Sequence, residues 1–205
     1  EPGPFRSNDI TQFLHLRSIK LVELIYEAMG KADSIPDDIS IFGYGSEEQK
    51  DKTLLEKLSF GESPMLEFKS TMRWHIRANR VDKEMEYEVL GAIAAFNNHY
   101  GGTLMIGVDD AGNVLGLDND YQTFREKNKD HFELHLRNLI NENFGKEFAA
   151  SQLAITFPVI ENKEFCQIEI QRGKSPKYLQ VPTKNGPKVE KFYVRSGNSS
   201  PELSI

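Results

Sequence analysis

The sequence predicts an α+β fold in which strands are joined partly by hairpins and partly by helices, behind an N-terminal helical extension. Three observations predict it. Short stretches such as Leu66-Glu67-Phe68-Lys69 alternate apolar and charged residues, the period of a strand with one apolar face. Other stretches repeat apolar residues at helical spacing, as Met85, Val89, Ala92, Ile93 and Phe96 do. Turn-forming Gly, Asn and Asp separate the two kinds of segment.

Taken in order, residues 11–29 place Phe13, Leu14, Ile19, Val22, Ile25, Tyr26 and Met29 on one helical face, stopped by Gly30. Residues 31–50 read as a linker, and a short helix over about 49–58 leads to Gly61. The strand at 66–69 follows. Asp82 is the expected N-cap of the next helix, with Glu84 and Glu86 at its positive end, and Asn97, Asn98 and Gly101 close it. TLMIGV (103–108) reads as an apolar strand. Asp110-Ala111-Gly112-Asn113 would turn the chain, and Val114 to Leu117 would return as a hairpin partner. A helix over about 121–144 carries Phe132, Leu136, Ile140 and Phe144 on one side and stops at Gly145. LAITFPVI and EFCQIEI form a further hairpin about Glu161 to Lys163, and Tyr178–Val181 and Lys191–Arg195 are the last two strands expected. No internal repeat or low-complexity tract is present.

The 205 residues suit one domain with a smaller appendage. The single cysteine, Cys166, rules out an internal disulfide and suits a reducing, cytoplasmic setting. It falls in an alternating strand and reads as a small buried hydrophobe. No run approaches the roughly 18 apolar residues of a membrane span. The sequence opens EPGPF without Met and so reads as a trimmed product.

A net charge of −6 argues against indiscriminate nucleic-acid binding, but the charge is unevenly spread. Residues 172–195 carry +6 through Arg172, Lys174, Lys177, Lys184, Lys188, Lys191 and Arg195 against Glu190. RWHIRANRVDK (73–83) carries +3 within a portion, residues 1–171, that is otherwise strongly acidic. Two basic islands on an acidic chain are the pattern of a polyanion-binding face. In the second island Arg73, Arg77 and Arg80 would fork onto phosphates, and Trp74 would stack on an unpaired base. The plain alternative is a core Trp74 and Lys-rich loops kept for solubility.

Glu67 and Lys69, two apart on a strand, share a face. Metal-dependent nucleases use such a pair, the carboxylate holding Mg²⁺ or Mn²⁺ and the lysine attending the phosphate, although acid-x-Lys triplets are also common by chance. On a regular strand Glu62 would face away from Glu67, but Pro64 interrupts the lead-in and lets the two converge. A third oxygen ligand is most economically drawn from Asp109 or Asp110, unless both serve only the turn. His75 and His99 lack a nucleophile to serve and read as non-catalytic. There is no phosphate-binding loop, no G-x-S-x-G and no zinc knuckle. Asn98-His99-Tyr100-Gly101-Gly102 follows a helix and precedes a strand, the wrong order for a dinucleotide fold.

GESPMLEFKSTMRW, then VLGAIAAFNNHYGGTLMIGVDDAGNVLGL, then FYVRSGNSSPEL together resemble the Schlafen AlbA-like domain family, whose bacterial members are described as DNA-binding. The resemblance covers roughly residues 55–203, so the domain is expected over 55–205, with 1–54 a helical extension and linker. It implies an α+β fold of mixed β-sheets flanked by helices. It also implies a nucleic-acid-interacting domain, by analogy with relatives that are divalent-metal-dependent endoribonucleases with three carboxylates. Those three match Glu62, Glu67 and Asp110, with Asp109 the fallback, and Lys69 lies on the phosphate side. Mg²⁺ or Mn²⁺ is the implied cofactor and RNA or DNA the implied partner. Active relatives use two copies of the domain, so a homodimer is expected to complete a groove. Many bacterial relatives attach the domain to a further module, so a fused module, either cut off from this stretch or never present, is among the partners the resemblance implies. The alternatives are a non-catalytic DNA- or RNA-binding module, using Arg73, Arg77, Arg80 and the 172–191 region, and a regulatory or oligomerisation domain of a larger bacterial protein.

Overall fold

The computed structural model describes residues 47–183 and 186–203. The helix expected over 11–29 and Lys184 lie outside them. The chain divides between Lys57 and Leu58, and the unit Leu58–Ile205 contains the elements discussed below. One helix, α1 (Glu47–Phe60), runs two residues further at each end than its sequence signal and gives way to Gly61 at φ 75°.

The fold is α+β. Strand β1 (Leu66–Lys69) is followed by a small hairpin, β2 (Trp74–His75) and β3 (Arg80–Val81), then helix α2 (Lys83–Asn97) and strand β4 (Gly102–Ile106). Next come short helix α3 (Asp118–Tyr121), helices α4 (Lys129–Phe144) and α5 (Lys146–Ser151), and β5 (Leu153–Thr156). A small pair, β6 (Val159–Ile160) and β7 (Lys163–Glu164), precedes β8 (Cys166–Ile170). The chain ends in β9 (Tyr178–Val181), β10 (Val189–Tyr193) and β11 (Glu202–Leu203). The main sheet has the order β1-β4-β8-β5, with β1 and β4 parallel across the α2 crossover and the other pairs antiparallel. A second, antiparallel sheet has the order β11-β10-β9.

Helix α2 touches β4 and β8 of the first sheet and β9 and β10 of the second. That placement explains why residues 89–97 are buried all round and not along one stripe, as a helix covered on opposite sides requires. Asp82 caps it as expected, its side chain accepting the Glu84 N–H at 3.1 Å. The tight exit depends on two glycines. Gly101 sits at φ 81°, where a Cβ would lie 2.6 Å from the Ile170 carbonyl oxygen, and a Cβ on Gly102 would lie 2.4 Å from the Phe96 ring. Helix α4 buries Phe132, Leu136, Ile140 and Phe144 along one side and ends at Gly145, φ 89°. Cys166 is fully buried, and burial pushes its thiol pKa up, which keeps it an inert core residue.

Four expected elements differ. The 103–108 strand ends at Ile106 because Gly107, at φ 95°, turns the chain away. Val114–Leu117 makes only one bridge, Val114 to Val108; the N–H groups of Leu115 and Gly116 both converge on the Gly107 carbonyl at 2.8 and 3.0 Å. The helix expected over 121–144 is two helices, because Asp120 is drawn into a buried cluster and Asn128 starts α4 by accepting the His131 N–H at 3.0 Å. The last long strand lies two residues earlier than the Lys191–Arg195 expected, since Arg195 leaves the sheet for the contacts described next.

Candidate functional site

The site begins where the chain approaches β1. Ser63 and Leu66 exchange backbone hydrogen bonds of 2.9 and 3.1 Å around Pro64-Met65, so the lead-in doubles back instead of extending the strand. This brings the Glu62 carboxylate alongside β1, where Oε1 accepts the Phe68 N–H at 2.9 Å. The Pro64 irregularity thus holds Glu62 against the backbone of β1. Glu67 and Lys69 share a face as alternation requires, and Lys69 Nζ lies 2.9 Å from Glu67 Oε1.

Glu67 is only 6% exposed and its other oxygen is also engaged. Oε2 accepts from the Arg195 guanidinium in an ion pair and from the Ser200 hydroxyl at 2.9 Å. Arg195 has a side chain fully shielded from solvent. Its Nη2 donates to the Ser63 carbonyl at 2.7 Å and its Nε to the Pro64 carbonyl at 3.3 Å, while Nη1 also donates to Ser200 at 2.9 Å. The guanidinium plane lies 4.7 Å from the Phe96 ring centroid. One buried cation thus ties β1, its lead-in, α2 and the loop after β10. Buried charges persist only when paired and hydrogen-bonded in this way.

Asp109 and Asp110 lie elsewhere in purpose. Asp109 folds its side chain over its own turn, accepting from the Ala111 and Asn113 N–H groups at 3.0 and 2.8 Å and from the Asn113 amide at 3.0 Å. The hydrogen bond from the Asn113 side chain, helped by the two backbone N–H groups and opposed by desolvation, lowers its pKa. Asp110 is exposed. Among the described residues no three His, Cys, Asp or Glu side chains group to hold a metal ion. The donor set consequently does not fit Mg²⁺ or Mn²⁺ as it stands. Glu67 already has a guanidinium and an ammonium as counter-charges, and the turn aspartates face their own loop or solvent.

The basic islands divide into internal and external members. Arg73 is turned inward, its Nε 3.0 Å from Glu86 Oε1 and its guanidinium 5.1 Å from the Phe124 ring centroid. Trp74 and His75 are half-buried in β2. Arg77 is exposed, and Arg80 reaches only Asp82 at 3.3 Å, also at the surface. In the 172–195 island Lys177 donates to the Phe144 carbonyl at 3.2 Å, satisfying the α4 C-terminus, and Lys191 pairs with Glu202 at 2.6 Å. Arg172 stands exposed 5.5 Å from the Tyr100 ring centroid, and Lys174 and Lys188 are exposed. Arg73 and Arg195 are thus corrected from surface contacts to internal ties, because each faces a buried carboxylate. Lys177 and Lys191 stand at the surface's margin, engaged with a helix end and with Glu202.

Sequence reasoning missed Asp120 altogether. It is fully buried and accepts the N–H groups of Met72, Arg73 and Trp74 at 2.7, 2.9 and 3.1 Å, fixing the base of the β2–β3 hairpin. Burial holds its carboxyl above the ordinary carboxylate range, opposed by those three hydrogen bonds and by Arg73. Glu86, read as a helix-start acid, is buried and also contacts His135 Nε2 at 2.8 Å. Asn98 bonds Lys177 through both backbone groups, at 2.7 and 2.8 Å, and the Tyr193 carbonyl at 2.9 Å, joining α2 to the second sheet. The Asn97-Asn98 pair closing the apolar run 89–96 was the available signal, since buried amides seek partners.

The mixed sheet with its α2 crossover and the β1–Arg195 tie make an α+β domain. The family model described as Schlafen, AlbA_2 matches residues 62–204, and the chain belongs to that family. The family is a nucleic-acid-related one. No curated protein matches the sequence. The fold is similar to the crystal structure of the DIP2311 protein from Corynebacterium diphtheriae, with a TM-score of 0.46 and 16% identity. That match covers 76% of this chain and 29% of the other, so the chain spans under a third of that protein. No helix among the described residues is long and apolar enough to cross a membrane.

Proposed function

We propose that the chain is a nucleic-acid-binding module of this family, contacting phosphates through the cations left at its surface: Arg77, Arg80, Arg172, Lys174 and Lys188. The observation that favours binding over cleavage is the engagement of Glu67. A carboxylate already neutralised by Arg195 and Lys69, and buried, is a structural counter-ion. A homodimer, or a module fused beyond this stretch of chain, would lengthen the basic surface.

The test is fluorescence anisotropy with labelled transfer RNA, single-stranded RNA and duplex DNA in EDTA, across roughly 50 to 200 mM salt. Expected is binding whose logarithm falls linearly with the logarithm of salt. Paired substitutions Arg77→Ala/Arg80→Ala and Arg172→Ala/Lys174→Ala should each lower affinity and flatten that slope by about one per phosphate contact removed. No binding to any of the three nucleic acids would overturn the proposal.

A second reading is a metal-dependent endoribonuclease. It is favoured by Glu62 lying against the backbone of β1, on which Glu67 stands with Lys69 beside it. It requires Mg²⁺ or Mn²⁺ on Glu62, Glu67 and Asp110, or Asp109 in its place. Glu67 would then have to exchange Arg195, Ser200 and Lys69 for the metal. Cleavage of end-labelled RNA in Mn²⁺ but not EDTA, lost in Glu67→Gln, would put this reading ahead.

A further inference from the structure

The second sheet carries an aromatic row on its outer face. Residues paired directly across antiparallel strands share a face, and Phe192 of β10 pairs with Tyr178 of β9 on one side and Leu203 of β11 on the other. The opposite face is fixed by Leu179, which is fully buried, and by Tyr193, whose ring lies 3.6 Å from where a Cβ on Gly91 of α2 would stand. Tyr178, Phe192 and Leu203 therefore point away from the core. Tyr178 is 36% exposed and Leu203 46% exposed, with Phe192 half-buried between them. The Tyr178 and Phe192 rings lie 5.1 Å apart at an interplanar angle of 37°.

Exposed cations stand on the segments that flank the row. Asn98 binds the Lys177 backbone and the Tyr193 carbonyl, one residue from Tyr178 and one from Phe192. The chain leaves Asn98 directly into His99 and Tyr100, and Tyr100 is 66% exposed beneath the Arg172 guanidinium. Lys174 and Lys188 are exposed on the segments that lead into β9 and β10. Of the acids on the sheet, Glu202 is paired with Lys191 at 2.6 Å, while Glu190, on the outer face, accepts from the Gln180 amide at 2.9 Å and keeps its charge.

We infer that the outer face of the β9–β10–β11 sheet is a stacking platform for unpaired bases of a single-stranded nucleic acid. Tyr178 and Phe192 take successive bases, and Arg172, Lys174 and Lys188 take the phosphates. Adjacent aromatic rings on neighbouring strands of an exposed antiparallel sheet offer π-faces to bases that a duplex keeps stacked on one another. Exposed lysines and arginine around an apolar row complement a polyanion, whereas a purely apolar partner would leave them without counter-charges. The inference rests on the nucleic-acid reading above and narrows it to unpaired strands.

The test is anisotropy titration of the full chain with labelled oligouridylate and oligothymidylate of about a dozen nucleotides, a duplex of equal length, and inorganic polyphosphate as competitor. The variants are Phe192→Leu and Tyr178→Leu, which keep an apolar side chain on the sheet and remove the ring, and Lys174→Ala/Lys188→Ala. Melting curves confirm that each variant is folded. Expected is preference for the single strands over the duplex, with loss of about tenfold in affinity per ring removed. Competition by polyphosphate should be unchanged in the ring variants and weakened in the lysine variant. RNA and DNA strands bound alike would place recognition on bases and phosphates, and preference for one would add the sugar; the platform stands in either case. Ring variants that bind single strands like the wild type, while the lysine variant does not, would overturn the platform and leave phosphate binding intact. Failure of the wild type to bind any nucleic acid would overturn the underlying reading, and the platform with it.

Discussion

Arg195 and Arg77 are the same residue type in two basic stretches, and the fold uses them in opposite ways. Arg195 is enclosed by Glu67, Ser200, two backbone carbonyls and the Phe96 ring, with no side-chain exposure. Arg77 stands at the tip of the β2–β3 hairpin, in the open. The first cation holds strand β1 to the loop that follows β10; the second is free to meet an external anion. Local charge density therefore says little about a binding surface until each cation is matched against the buried carboxylates. In this chain Glu67 and Glu86 claim Arg195 and Arg73.

That contrast orders the expected effects of substitution. Arg195→Met leaves Glu67 buried with Lys69 as its remaining counter-charge and should cost about 3–5 kcal/mol in urea denaturation. The same measurement on Glu67→Gln/Arg195→Met should recover part of the loss, since removing both charges removes the uncompensated one. An additive double mutant would show that the two residues do not act as a pair. Asp120→Asn comes next. It weakens the acceptor for three backbone N–H groups at the hairpin base, with an expected cost of about 1–3 kcal/mol.

Asp120 also gives a pH signature. Burial raises its carboxyl pKa in the folded chain, so the folded state binds that proton more tightly than the unfolded one. Its contribution to stability is then largest below the ordinary carboxylate range and declines as pH rises through the folded-state value. The gap in melting temperature between wild type and Asp120→Asn should accordingly narrow from acid toward neutral pH. A gap that widened would contradict the role of burial. At the small end, Arg77→Ala should leave stability within about 0.5 kcal/mol of wild type while lowering nucleic-acid affinity and the steepness of its salt dependence. A large stability loss there would erase the distinction between the two arginines.

Local periodicity carried much of the fold. The β1 alternation, the Asp82 cap, the Gly145 stop and the turn at Glu161-Asn162, both at positive φ, follow from residue type alone. The convergence of Glu62 on β1 was legible too, because Pro64 cannot continue a regular ladder. What was not legible depends on partners far along the chain. Asp120 sits 46 to 48 residues from the N–H groups it binds, and Arg195 is 128 residues from Glu67. No spacing rule reaches that distance. The split helix and the inward-turned Arg73 share this cause: a buried polar group found a distant partner and overrode the local pattern, whereas the return strand at 114–117 is lost locally, to the turn at Gly107. The outer aromatic row was hidden for a related reason, since Tyr178, Phe192 and Leu203 become neighbours only through strand register.

The most direct test of the central claim, that Glu67 is the counter-ion of Arg195 and not a ligand awaiting metal, is the melting temperature of the wild type and of Glu67→Gln in EDTA and in millimolar Mn²⁺. The expected result is a lower melting temperature for Glu67→Gln in both conditions and no stabilisation of either protein by Mn²⁺. Stabilisation of the wild type by Mn²⁺ that disappears in a folded Glu67→Gln would contradict it, because ligand binding to the native state must raise apparent stability.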